Sequence, residues 1–219
     1  MATNRLAVFD LDGTLLDGDS TSKWMVGRIR GSWLRFIAAA LVAPLALPLV
    51  MMPRFRQIGA SVFLWIASVG LKEDQLLESF SAFAKSVDSS GSRLRWRPRG
   101  IVALRRHQAD EYRVVIATAA PVRLAEALAK QLGPDISVVG STLRPAMIGW
   151  VADQHCRHDA KCRALAFAGF GEHWAFAYTD SSDDLPLLAL ADAPKFVNAT
   201  QSTRARLAET ALPLEYLFW

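Results

Sequence analysis

The sequence predicts an α/β protein: a doubly wound, Rossmann-like parallel sheet carrying an inserted α-helical cap. Three patterns support this. Short apolar runs recur along the chain, several stopping at a hydroxyl or carboxylate residue. Segments of helical period lie between them, and one long apolar stretch breaks the alternation. Alternating strands and helices build parallel sheets covered on both faces, and such sheets bind ligands beyond the carboxyl ends of their strands.

The elements follow in order. Leu6 to Phe9 reads as a buried strand stopped by Asp10 and Gly13. Asp17 to about Arg95 is long, apolar and helical in character, and reads as the insertion. A helix is expected from Arg99 to Glu111 and a second strand from Val114 to Ala117, followed by Thr118. Pro121 then opens a helix running to Leu132, where Gly133-Pro134 stops it. Ile136 to Gly140 is a third strand, and Thr142 to Val151, with Pro145 and Gly149, a hairpin. A helix from Asp159 to Ala168, a strand from Ala175 to Tyr178 ending at Thr179-Asp180, a helix from Asp184 to Ala191 and a strand from Lys195 to Val197 complete the pattern. The sheet domain is therefore expected over 1–16 and 96–219, with the cap over 17–95.

Composition narrows the function classes. With 219 residues, 52% of them hydrophobic and 21% charged, the chain can bury a real core and is not a disordered tail. Its net charge of +4 hints at an anionic partner without naming it. Two cysteines imply no disulfide framework. The N-terminus leads straight into the first strand with no signal-peptide pattern, so cytoplasmic action is the expectation. No nucleic-acid-binding motif accompanies the basic residues.

The chemistry concentrates at strand ends. Alternation puts Asp10 and Asp12 on one side of an extended segment, with Leu11 on the other. One carboxylate can attack phosphorus while the other moves protons. Gly13 permits a tight turn whose amides could face phosphate. In Asp180-Ser181-Ser182-Asp183-Asp184 several carboxylates crowd one loop, which calls for a cation, and oxygen ligands favour magnesium. Thr118 and the following amide of Ala119 suit a phosphate oxygen, and Lys161 could neutralise charge on Asp10 and phosphate. Taken singly, each piece also fits an ordinary acidic turn, helix cap or surface lysine.

Together they resemble the haloacid dehalogenase superfamily of phosphatases, in motif order and spacing, over nearly the whole chain. Its motifs match Asp10-Leu11-Asp12-Gly13-Thr14, the Thr118 that ends Val114-Val115-Ile116-Ala117, Lys161, and Asp180 to Pro186. The resemblance implies Asp10 as nucleophile, Asp12 as acid/base and Lys161 as a catalytic and substrate-binding cation, with Gly13, Thr118 and Ala119 on phosphate. It further implies magnesium held by Asp10, the Asp12 carbonyl and Asp180, with Asp183 or Asp184 supporting. Thr179 stands where this branch often has glycine, and Asp183 where many members have asparagine.

The insertion resembles the helical cap of the phosphoserine-phosphatase-like branch. Within that branch the chain resembles bacterial phosphatidylglycerophosphatases of the C type, through the apolar cap, Cys156-Arg157 before Lys161, and Tyr178 to Asp184. Phe36 to Pro53 carries no charge, yet Pro44 and Pro48 interrupt it, so a straight spanning helix is not expected. Arg28, Arg30 and Arg35 precede it and Arg54 and Arg56 follow; with Trp24 and Trp33 this fits a bent or interfacial insertion. Gln57 to Leu71 could be its partner helix, and Arg93, Arg95, Arg97 and Arg99 a headgroup-binding run. His155, Cys156, His158 and Cys162 match no standard zinc spacing and read as free thiols and ordinary histidines.

The expected function is magnesium-dependent hydrolysis of a phosphate monoester, phosphatidylglycerol phosphate first, at the cytoplasmic membrane face. Alternatives are a soluble phosphatase of the phosphoserine or histidinol phosphate type and a non-catalytic membrane-associated scaffold.

Overall fold

Leu6–Phe9, four consecutive apolar residues, form strand β1, buried along its length. Ala7 and Phe9 join one hydrophobic cluster with Val114 and Ile116, whereas Leu6 and Val8 join another with Val115 and Ala117. Strands apolar on both sides need cover on both sides. Helices α5 (Pro98–Ala109) and α6 (Val122–Ala129) bring Leu104, Leu124 and Leu128 to the first cluster. Helices α7 (Asp159–Phe167), α8 (Leu185–Ala189) and α9 (Gln201–Leu207) bring Leu165, Leu187, Leu188 and Leu207 to the second. The fold is thus the expected doubly wound α/β architecture. The structure, a computed structural model, describes residues 5–52, 54–89, 92 and 94–219. Residues 1–4, Arg93 of the basic run and the side chain of Arg56 lie outside the described residues.

Besides β1, the six-stranded sheet contains β2 (Arg113–Pro121), β3 (Ile136–Ser141), β6 (Trp174–Thr179), β7 (Ala191–Val197) and β8 (Glu215–Leu217). Its order is β3-β2-β1-β6-β7-β8, every pairing parallel. The chain winds outward from β1 one way, then returns to build the other half. The strand order therefore reverses at the carboxyl end of β1, where such sheets open a crevice. Phe9 pairs with Ile116 on one side and Tyr178 on the other, so Asp10 lies between the ends of β2 and β6.

Four helices, α1 (Ser20–Arg30), α2 (Trp33–Met51), α3 (Arg56–Ser68) and α4 (Glu73–Ser86), fall between β1 and α5. The chain leaves and re-enters the sheet region side by side. Leu16 bridges Trp96, Asp17 N–H donates to the Arg95 carbonyl (2.9 Å), and Arg97 N–H to that of Leu15 (2.8 Å). A separate antiparallel hairpin, β4 (Leu143–Ala146) and β5 (Gly149–Ala152), follows β3 and meets α3.

Four local expectations are corrected. First, β2 continues to Pro121, slipping register against β3 between Ala117 and Pro121, so Thr118 lies in a bulge instead of at a helix start. Ala120 N–H bonds to Thr118 Oγ1 (3.1 Å) and Ser141 Oγ to the Ala119 carbonyl (2.7 Å), giving the bulged backbone partners. Second, α2 continues as one helix through Pro44 and Pro48, which do not interrupt it. Both prolines sit four apart on the exposed face, where the carbonyls they leave unpaired are not enclosed by protein. Third, Asp184 enters a 3-10 turn, Ser182–Asp184, before the shorter α8. Fourth, β8 is an unanticipated edge strand of three residues.

Candidate active site

Asp10 sits at the strand-order reversal, its side chain 8% exposed. Its N–H is spent on the Tyr178 carbonyl (2.8 Å), and Oδ1 accepts from Lys161 Nζ at 2.7 Å. Lys161 comes from the first turn of α7 and is equally buried. Its ammonium also donates to Asp184 Oδ2 at 2.6 Å, and Thr179 Oγ1 donates to that same oxygen at 2.8 Å. One buried cation thus serves two carboxylates. Burial pushes Asp10 up to about 7; Lys161 opposes this, while Asp184 and Asp180 add to it. Burial alone would depress Lys161, but Asp10 and Asp184 more than offset it and hold the ammonium above its ordinary range.

Asp12 takes a different partner. Its carboxylate accepts Ser20 N–H at 2.9 Å and Ser20 Oγ at 3.1 Å. Ser20 is the first residue of α1, so a helix of the insertion holds this carboxylate. Burial and the neighbouring Asp19 raise Asp12 well above the usual carboxylate range, and the Ser20 bonds partly counter them. A carboxyl raised in this way is better suited to hold and give a proton than an ordinary carboxylate. Ser20→Ala removes one bond that lowers the pKa, so the alkaline limb of a kcat/KM pH profile is expected to move upward. An unmoved limb would separate Asp12 from that titration.

Gly13 has φ +81°, and a Cβ built there would lie 2.1 Å from Asp180 Oδ2. Any side chain would displace that carboxylate, so glycine is required by both conformation and space. Asp180 is fastened across the same gap: Thr14 Oγ1 donates to Oδ1 (3.2 Å) and receives the Asp180 N–H (3.0 Å). Burial raises Asp180 also.

The acidic side chains expected around the metal, Asp10 and Asp180 with Asp183 or Asp184 in support, are not all free to take it. Among the described residues no three His, Cys, Asp or Glu side chains form a group placed to hold an ion. Asp184 is drawn to Lys161 because a buried ammonium needs counter-charge. Asp183 has its side chain 45% exposed, 3.8 Å from Arg157. What remains is two carboxylates, Asp10 and Asp180, and the main-chain carbonyl of Asp12, two residues after Asp10. Burial has pushed both carboxylates up, a cost a cation relieves, and so small an all-oxygen set suits magnesium, which keeps several waters. Thr118 and Ala119 lie in the bulge one strand away from Asp10, with Thr118 buried. Of the remaining thiols and histidines, His158 Nδ1 meets the Asp183 carbonyl (3.1 Å) and burial pushes the Cys156 thiol up to about 11.

Three contributors escape motif reading. Thr179, where glycine is common, bonds Asp184 and receives Ser181 N–H (3.1 Å), tying the acidic loop to the lysine. Arg97 donates from Nε to the Gly13 carbonyl and from Nη1 to that of Trp219, each at 3.1 Å, and so grips the nucleophile loop from the returning strap. Ser20 is the third. Only Thr179, beside Asp180, had a sequence signal.

Residues 7–189 match the family of haloacid dehalogenase-like hydrolases. No curated protein matches the chain. Among solved structures, a protein of unknown function from Bordetella pertussis Tohama I aligns with a TM-score of 0.74 at 20% identity, over 97% of this chain and 98% of that one. A phospho-aspartyl intermediate analogue of phosphoserine phosphatase aligns at 0.63 and 12% identity, over 99% and 93% of the two chains. Cytosolic 5′-nucleotidase IIIB bound to cytidine aligns at 0.60 and 12%, over 97% and 80%. At these identities the likeness is one of fold.

Proposed function

Because the chain belongs to the haloacid dehalogenase-like hydrolase family, we propose that it is a phosphoric monoester hydrolase that works through an aspartyl-phosphate on Asp10. The observation that supports this most is the buried Asp10–Lys161 pair at the reversal of the sheet. A carboxylate oxygen of Asp10 bonds to phosphorus as the ester P–O bond breaks, and Asp12 gives the leaving oxygen its proton. A water then bonds to phosphorus, Asp12 takes its proton, and the bond to Asp10 breaks. Lys161 offsets charge on Asp10 and on the transferring phosphoryl group, while Thr118 and the Ala119 amide orient it. Asp10, Asp180 and the Asp12 carbonyl would hold a magnesium ion, whose charge offsets that of the phosphoryl oxygens.

The leading substrate is phosphatidylglycerol phosphate, met at the cytoplasmic face of a membrane, with the four inserted helices acting as the cap. The apolar, outward-facing α2 and the resemblance around Cys156-Arg157 and Tyr178 support it. A soluble small phosphomonoester is the second reading, favoured by the phosphoserine phosphatase and nucleotidase neighbours. A magnesium-dependent phosphate-release screen over phosphatidylglycerol phosphate, phosphatidate, phosphoserine and nucleoside monophosphates decides between them. Failure on every monoester, aryl phosphates included, would remove the phosphatase reading.

Protonation and metal compete at this site. Folded Asp10 holds its proton up to about pH 7, whereas the unfolded chain releases it near 3.8. The folded state therefore binds more protons between those values, and its metal-free stability falls as pH rises through them. Thermal melts are expected to show the metal-free protein weaker at pH 8 than at pH 5, and magnesium raising Tm more at pH 8. An equal magnesium shift at both values would contradict this.

A further inference from the structure

We infer that α2 lies flat in the surface of an anionic bilayer, on the same side as the rest of the chain, and does not cross it. This deepens the membrane reading proposed above and rests on it. By length and composition α2 is the one helix among the described residues fit to span a membrane, with mean hydropathy 2.1 and 11% of its window buried.

Every exposed position from Trp33 to Met52 is apolar, including Leu41 at 74%, Leu45 at 78% and Met51 at 84% exposure. The positions that are not exposed, among them Arg35, Ala39, Val42, Ala46 and Val50, recur with helical period and form the back of the helix. Arg35 is the one charged residue of α2, and its Nη2 is turned to the Val69 carbonyl (3.0 Å). The outward face is therefore a continuous apolar stripe, far larger than the scattered hydrophobics of an ordinary surface. Exposed arginines bracket it, Arg30 before and Arg54 after, as headgroup contacts would require.

What lies behind α2 excludes a crossing. α3 packs along its back so closely that a Cβ on Gly59 would come within 2.7 Å of the Ala46 carbonyl. α3 is itself tied to the hairpin of the core: Trp65 Nε1 donates to the Ala146 carbonyl (3.0 Å) and Trp150 N–H to Ser68 Oγ (2.9 Å). Beyond α3 opens a cavity of about 480 Å³ lined in part by Gln57, Ser61, Arg144, Asp153 and His155. Driving α2 through a bilayer would drag α3 and these polar groups into hydrocarbon, where unpaired polar atoms are expensive. It would also carry Arg54 across, and the 13 residues of α3, about 20 Å long, are too short to return through a core of about 30 Å. Laid flat, α2 buries its stripe while Arg30 and Arg54 stay at headgroup level.

The test uses full-length chains carrying Arg30→Cys, Arg54→Cys or Leu41→Cys, mixed with phosphatidylcholine–phosphatidylglycerol vesicles. A membrane-impermeant maleimide is added outside, and labelling is read against the unsubstituted chain, whose Cys156 is buried and Cys162 half-buried. The expected result is that positions 30 and 54 both label while position 41 is protected only when vesicles are present. Protection of position 54 with labelling of position 30 would mean a crossing and overturn the inference. Leu41→Asp with Leu45→Asp, both at exposed positions, should cut vesicle flotation by about tenfold or more and leave aryl phosphate hydrolysis unchanged. Undiminished flotation of that pair would overturn the inference. So would a lipid-free dimer in sedimentation that protects position 41 and does not float. Absence of phosphate release from the parent chain would sink the phosphatase reading without altering the labelling pattern.

Discussion

Asp10→Asn is expected to lower turnover of a generic aryl phosphate by about 10⁵-fold or more, the scale on which covalent nucleophiles fail when removed. The amide keeps the shape and can still accept the Lys161 hydrogen bond, so a collapsed site is not the cause. A stability measurement proves the point. Wild-type Asp10, pushed up to about 7 by burial, gives up its proton within the folded chain only at a cost. That cost is absent at pH 4, grows as pH rises, and is complete above about 7. Asparagine does not titrate. In metal-free buffer the variant should therefore match the parent near pH 4 and exceed it at pH 8, by a few kcal/mol at most. Dead and more stable is the signature of a functional carboxylate held against its own preference. Urea midpoints at the two pH values, beside phosphate release, read both effects. An active variant, or one destabilised at pH 8, would remove Asp10 from the role proposed for it.

The same balance explains what was legible in the sequence. β1 and β6 announced themselves because a strand covered on both faces must be apolar throughout, and the residue ending each run is the first free to be polar. That placed Asp10 and Asp180 at strand ends, and the motif pattern then gave them their roles. Lys161 could be located but not oriented, since its partners lie 151 and 23 residues away in the chain. Which carboxylate of the acidic loop reaches it is settled by the 3-10 turn and by Thr179, which place Asp184 on the lysine and leave Asp183 to Arg157. Ser20 was invisible, and Arg97, read as part of a headgroup-binding run, turns inward to the Gly13 carbonyl instead, because the value of both depends on where the insertion leaves and rejoins the core. The continuity of α2 was misread for a reason of the same kind. Proline breaks a helix where the freed carbonyl is enclosed, and Pro44 and Pro48 face outward.

Lys161→Met should damage both stability and catalysis, and the two losses should separate. The methionine fills similar volume but leaves Asp10 and Asp184 buried without the cation that lies 2.7 and 2.6 Å from them. Breaking one side of a buried ionic cluster costs about 3–5 kcal/mol when the remaining charge is uncompensated. Protonation of Asp10, already pushed up by burial and no longer opposed by the lysine, can relieve part of that charge, so the loss should be larger at pH 8 than at pH 5. Turnover should fall by about 10²–10³-fold, the usual effect of deleting one group that stabilises developing charge. Adding Asp184→Asn removes one of the two stranded carboxylates and should restore part of the stability at pH 8. It should restore none of the activity, because the charge on Asp10 and the phosphoryl group still lacks its lysine. The double-variant cycle thus divides Lys161 into two jobs: neutralising Asp184, which asparagine can replace, and serving the reaction at Asp10, which it cannot. Additive stability losses in that cycle would show that Asp184 and Lys161 do not act as a pair, and the arrangement of one cation between two carboxylates would have to be abandoned.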